Sequence, residues 1–147
     1  MTKHYSHFYI AHMKDSRPNF NSDDKDKSPA DGSVKDGGYE LKGRVWIEGP
    51  SGTFLGYGRA VLLERIREYG SISEAARSMG MSYRHAWELV DSMNREAKAP
   101  LVETATGGKG GGGARLTSDG EAAIESFWGL HARFKEFLKN EMENLII

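Results

Sequence analysis

Residues 71–97 read "SISEAARSMGMSYRHAWELVDSMNREA", and this stretch decides the fold. Ser71 and Glu74 have the S-x-x-E spacing of a capping box, with Ser73 as a competing cap, so a helix is expected to run to about Met79. Gly80 breaks it by supplying a left-handed turn residue, and Ser82 is placed to cap a second helix from Tyr83 to about Ala97. Pro100 prevents further continuation. Two short helices joined by a tight glycine-containing turn form a helix-turn-helix.

Working outward, "YELKGRVWIEG" at residues 39–49 alternates apolar and polar positions with the period of a strand. A Gly- and Pro-punctuated turn with a short extended piece follows. From Arg59 the period changes: Val61, Leu62, Ile66 and Tyr69 fall at helical spacing, and Gly70 ends that helix. Beyond the helix-turn-helix, "LVETA" and "ARLT" flank the run "TGGKGGGG" as two short strands, giving a hairpin over residues 101–117. Thr117 can cap a long final helix with the apolar stripe Ile124, Phe127, Leu130, Phe134, Phe137/Leu138, Met142 and Leu145. The expected fold is mainly α with a small β component: a winged helix-turn-helix with a long C-terminal helix. Residues 1–38 are expected to be a flexible extension, because 14–38 are polar and almost free of large apolar groups. Residues 39–117 form the winged domain, with its recognition helix at about 83–97, and 118–147 the C-terminal helix.

Composition narrows the function. The 147 residues contain no cysteine, which removes disulfides, thiolate metal sites and cysteine nucleophiles. No apolar run approaches the roughly 20 residues of a membrane span, and the N-terminus lacks a signal-peptide core, so a cytoplasmic protein without membrane contact is expected. The formal net charge is −1, and only residues 59–117 are mildly basic, with 9 basic against 7 acidic side chains.

The helix-turn-helix offers the first candidate site. Ala86, Leu89, Val90 and Met93 give the second helix its buried face, leaving Ser82, Tyr83, Arg84, Trp87 and Glu88 on or near the outer face, with His85 at its margin. The first turn of such a helix enters the major groove of DNA. Arg84 suits bidentate pairing to guanine, and Ser82 and Tyr83 suit hydrogen bonds to base or phosphate. Trp87 fits the buried face and the outer face equally well.

The glycine run fails as a nucleotide P-loop, since Glu103 and Gly110 occupy the places of the first glycine and the final hydroxyl. As a wing it makes sense: six glycines let the backbone lie against a sugar-phosphate chain, and Lys109 and Arg115 add cations. His4, His7 and His12 lie in a polar tail too short to orient metal ligands, so no metal site is expected. No catalytic motif appears, and the chain is not expected to be an enzyme. The final helix is more aromatic than one domain face needs. Part of the stripe, drawn from Ile124, Phe127, Phe134, Phe137 and Leu138, is therefore expected to pair with a second subunit, the alternative being packing onto its own domain, and a homodimer would read two half-sites on double-stranded DNA.

"GSISEAARSMGMSYRHAWELVDSMN" followed by "LVETATGGKGGGGARLT" closely resembles the N-terminal DNA-binding domain of the molybdate-dependent transcriptional regulators of the ModE family, related to the LysR-type winged helix-turn-helix. The resemblance runs from about Leu41 to the mid-120s, and its marks are "GSIS", "SYRHAW", Met93–Asn94 and "ATGGKGGGGA". It implies a bacterial, dimeric, sequence-specific DNA-binding transcription regulator, with recognition contacts at Ser82, Tyr83 and Arg84 and wing contacts around Lys109. Nothing after the wing resembles the family's C-terminal molybdate-binding domain, so no cofactor is expected and molybdate is not expected to bind within this chain. A separately encoded ligand-binding subunit is one way to supply a sensor. Two alternative functions are an oxyanion (molybdate) sensing or binding protein and a winged-helix protein–protein interaction module.

Overall fold

The computed structural model describes residues 32–105 and 112–146. Ten elements follow in order: β1 (Gly32–Asp36), β2 (Tyr39–Gly43), β3 (Ile47–Gly49), β4 (Gly52–Leu55), α1 (Tyr57–Tyr69), α2 (Ile72–Ser78), α3 (Tyr83–Glu96), β5 (Val102–Thr104), β6 (Ala114–Leu116) and α4 (Ser118–Asn144). The strands pair as three antiparallel hairpins, β1–β2, β3–β4 and β5–β6. The architecture is the winged helix expected from the sequence.

The helix-turn-helix forms for the reasons its residues suggest. Ser71 Oγ accepts a hydrogen bond from the Glu74 backbone N–H at 3.2 Å, satisfying one of the open donors of the first turn of α2. Gly80 has φ +65°, a left-handed conformation that a side chain would strain. It lets the chain reverse so that the Met81 N–H reaches the Ala76 carbonyl at 3.1 Å. Ala75, Ala76 and Ala86 are buried, and their small side chains allow α2 and α3 to pack closely. Met79 is buried under the turn and Met81 packs against the same core.

That core is shared by every helix. Leu55, Leu62, Leu63, Ile66, Met93 and Phe127 are its largest fully buried side chains. The first half of α4 contributes Ile124, Phe127 and Trp128, and the Trp128 indole N–H donates to Glu64 Oε1 at 2.7 Å across to α1. Tyr57, Phe127, Trp128 and His131 form an aromatic group around this contact, with Tyr57 and Trp128 packed edge to face at 5.3 Å.

Two expectations need correction. Residues 32–38 do not continue a flexible extension. β1 pairs along β2 in the register Gly32↔Gly43, Val34↔Leu41 and Asp36↔Tyr39, through a two-residue turn at Gly37 and Gly38, both at positive φ. The strand expected over 39–49 is accordingly divided between β2 and β3, which belong to different hairpins.

The apolar stripe of α4 is the second correction, because much of it is consumed inside the chain. Ile124 and Phe127 lie in the domain core, with 4% and 0% of their surface exposed, and cannot face a second subunit. Further along, Phe134 and Leu138 lie under the β1–β2 hairpin. A Cβ at Gly32 would come within 2.8 Å of Leu138 Cδ1, and one at Gly43 within 2.7 Å of Phe134 Cζ. Of the five residues expected to form a dimer interface, Phe137 alone is well exposed, at 56%.

Candidate nucleic-acid interface

The first turn of α3 is built to be presented. Ser82 is its N-cap, and Ser82 Oγ accepts the His85 backbone N–H at 3.1 Å. Ala86, Val90 and Met93 are buried, which fixes the rotation of the helix about its axis. Ser82, Tyr83, Arg84, His85, Trp87 and Glu88 are consequently all exposed. Tyr83 keeps 57% of its surface accessible and Trp87 keeps 47%, so Trp87 belongs to the outer face. An exposed pair of large aromatics one helical turn apart costs hydration free energy in the isolated domain, and contact with a partner would recover it.

Beside that aromatic pair runs a charged one. Arg84 Nε lies 3.1 Å from Glu88 Oε1, one turn along the helix, and Arg95 Nε lies 3.4 Å from Asp91 Oδ2. Such exposed i,i+4 pairs are weak, so Arg84 can exchange its carboxylate for a base edge or phosphate at small cost.

The wing is fastened to α3 by a single amide side chain. Asn94 Oδ1 accepts the Leu101 and Val102 backbone N–H groups at 2.8 and 3.1 Å, and Asn94 Nδ2 donates to the Val102 carbonyl at 2.9 Å. The last turn of α3 therefore sets where β5 begins. A sequence signal existed: Asn94 follows Val90 by four and Ala86 by eight, so an amide falls on the buried stripe, where it must find partners. The return strand is tied as well, by the Ala114 N–H donating to the Gly70 carbonyl at 2.9 Å. Within the wing, Arg115 pairs across the strands with Glu103 at 2.6 Å. Lys109, like His4, His7 and His12, lies outside the described residues.

A second clamp holds the other side of α3. Arg59 donates to Ser92 Oγ at 3.1 Å, and Glu96 Oε1 accepts the Ser51 backbone N–H at 2.9 Å, joining the helix to α1 and to the β3–β4 turn. Burial pushes the Arg59 guanidinium below its ordinary range, against the pull of Glu48 and Glu96, but an arginine so placed stays charged. The result is a helix fixed along its C-terminal half and bare at its N-terminal turn.

Residues 59–121 match the family model for bacterial regulatory helix-turn-helix proteins of the lysR family. Over 69 residues, 47% of this chain, the sequence is 49% identical to the transcriptional regulator ModE of Yersinia pestis and 48% identical to the DNA-binding transcriptional dual regulator ModE of Escherichia coli K12, covering 26% of each. Residues 59–121 are thus similar to the lysR-type helix-turn-helix and to the matching part of regulators named ModE. A longer match, over 95 residues and 65% of the chain, is 42% identical to the molybdenum-pterin-binding protein MopB of Rhodobacter capsulatus and covers 35% of that protein. The chain thus spans well under half the length of these curated relatives. The matched span includes α2, the tight turn, α3 and the wing, the elements whose geometry is described above. The β1–β2 hairpin lies outside residues 59–121. Among the described residues no helix is long and apolar enough to cross a membrane.

Proposed function

We propose that this chain is a cytoplasmic, sequence-specific DNA-binding transcription regulator, acting without catalysis. The observation that carries the reading is the exposed, serine-capped first turn of α3 on a scaffold similar to transcriptional regulators named ModE. Tyr83, Arg84, Trp87 and Glu88 enter the major groove, His85 lies at the edge of the contact, and Ser82 reaches the adjoining phosphate. Lys109 and Arg115 place the wing against the neighbouring backbone.

The regulator binds as a homodimer, two recognition helices reading paired half-sites. With Ile124 and Phe127 committed to the core, association falls to the outer surface of α4 around Phe137. Sedimentation of the wild type against Phe137→Asp tests this: the variant should shift toward monomer, and an unchanged dimer would remove Phe137 from the interface.

Selection of bound duplexes from a random pool at stated salt tests the central claim, and recovery of no enriched sequence would overturn it. On the selected site, Arg84→Ala should weaken binding about five- to 150-fold and relax preference at one base pair, in line with about 1–3 kcal/mol for a bidentate base contact. Replacing Lys109 by Ala should weaken all duplexes about equally and reduce the salt slope by about one.

A further inference from the structure

The exposed face at the start of α3 is chemically divided. Arg84 and Glu88 make up one part of it, paired at 3.1 Å with 89% and 54% of their side chains accessible. Tyr83 and Trp87 make up the other, two large rings that stay in solvent while Ala86 and Val90 hold the opposite side of the helix in the core. The rings are four residues apart, about 6 Å along the helix axis. The remaining exposed side chains of this turn, Ser82 and His85, are polar. Apolar contact from the first turns of α3 therefore falls to Tyr83 and Trp87.

In the major groove the base edges present hydrogen-bonding groups, which suit Arg84 and Glu88, and one apolar group, the 5-methyl of thymine. A ring face gains by covering a methyl, because apolar surface leaves water on both sides of the contact. The same face loses by covering the amino group of cytosine or adenine, which gives up its hydration and finds no acceptor.

We propose that Tyr83 and Trp87 are specificity-determining residues that read the 5-methyl groups of two thymines, an inference that rests on the DNA-binding reading above. Base pairs rise by about 3.4 Å, so rings about 6 Å apart serve methyls on different base pairs up to two steps apart. The contact separates one duplex from another because the methyl is present only where the base is thymine. On a duplex with cytosine at those positions, the rings either cover a polar edge or remain in water. Phosphate contacts are equal on both duplexes and cannot compensate.

The test uses the full chain and a duplex recovered by selection from a random pool. Each thymine is replaced singly by deoxyuridine, which deletes the methyl and keeps every hydrogen-bonding group of the base pair. At two positions affinity should fall about fourfold, the worth of one methyl withdrawn from water. Trp87→Ala should abolish the penalty at one of these positions and Tyr83→Ala at the other. Tyr83→Phe, which keeps the ring and loses the hydroxyl, should retain it. Both rings are exposed, so the alanine variants keep the fold, and low salt holds their affinities in a measurable range. No penalty at any thymine, a penalty that survives both alanine changes, or one that Tyr83→Phe abolishes would each overturn the inference while leaving DNA binding intact. Wild-type protein for which selection enriches no duplex would overturn the DNA-binding reading itself, and this inference with it.

Discussion

The β1–β2 hairpin and the β5–β6 wing are both short antiparallel ribbons, yet different physics hold them. The wing is fixed at its root by polar bonds: Asn94 to Leu101 and Val102, and Ala114 to Gly70. The first hairpin is fixed by shape. Gly32 and Gly43 face one another on adjacent strands and leave room for Phe134 and Leu138, with Val34 and Leu41 half-buried beside them. The wing is thereby coupled to the recognition helix, while the first hairpin is coupled to the far half of α4. A disturbance of either should be felt in a different property.

The largest effect is expected at the wing root. Asn94→Ala strands the Leu101 and Val102 N–H groups without their acceptor and should cost about 3 kcal/mol in urea unfolding. It should also weaken DNA binding, because β5 loses its reference to α3. Next, Gly43→Val places methyl groups against Phe134 and should cost about 2 kcal/mol. Its DNA affinity should match the wild type; a comparable loss would show that the two hairpins are not separable. A change to the turn is smaller: Gly38→Ala, at φ +86°, should cost about 1 kcal/mol and lower Tm without altering DNA binding.

Acid should affect the first hairpin through Glu40, the smallest of these effects. The Ser33 hydroxyl, and then the Lys42 ammonium, hold the Glu40 carboxyl below the usual carboxylate range. Since the folded value lies below the unfolded one, the contribution is complete above the ordinary glutamate range and is lost as pH falls through the depressed value. Amide protection factors in β1 and β2, which remove the intrinsic pH dependence of exchange, should fall on acidification, and Glu40→Gln should remove that part of the pH dependence. An identical acid profile in the variant would detach Glu40 from the stability of the hairpin.

How much was legible follows from the same contrast. The serine caps, the Gly80 turn and the Ala86, Val90 and Met93 stripe specify a helix-turn-helix locally, within one or two turns of chain. The wing strands are short, but the glycine run between them marks the reversal. The first hairpin was missed because it buries glycines, which have no side chain to register in a hydrophobic pattern. Its own signal was the Gly37–Gly38 pair between alternating residues, a two-residue hairpin turn hidden in a polar segment. The α4 stripe failed in the opposite sense. Periodicity shows that Phe134 and Leu138 are apolar and on one side, and it carries no information on which body covers them.

By itself, then, the sequence determined the helices, their caps, the turn between α2 and α3 and the set of side chains at the start of the recognition helix, because each depends on interactions within a few residues. Only the tertiary structure decided that Trp87 faces outward, that Asn94 fastens the wing, that Glu103 meets Arg115, and that the stripe on α4 is spent on the core and the first hairpin. Those outcomes depend on how separate segments pack, and partners 7 to 106 residues away leave no periodic trace along the chain.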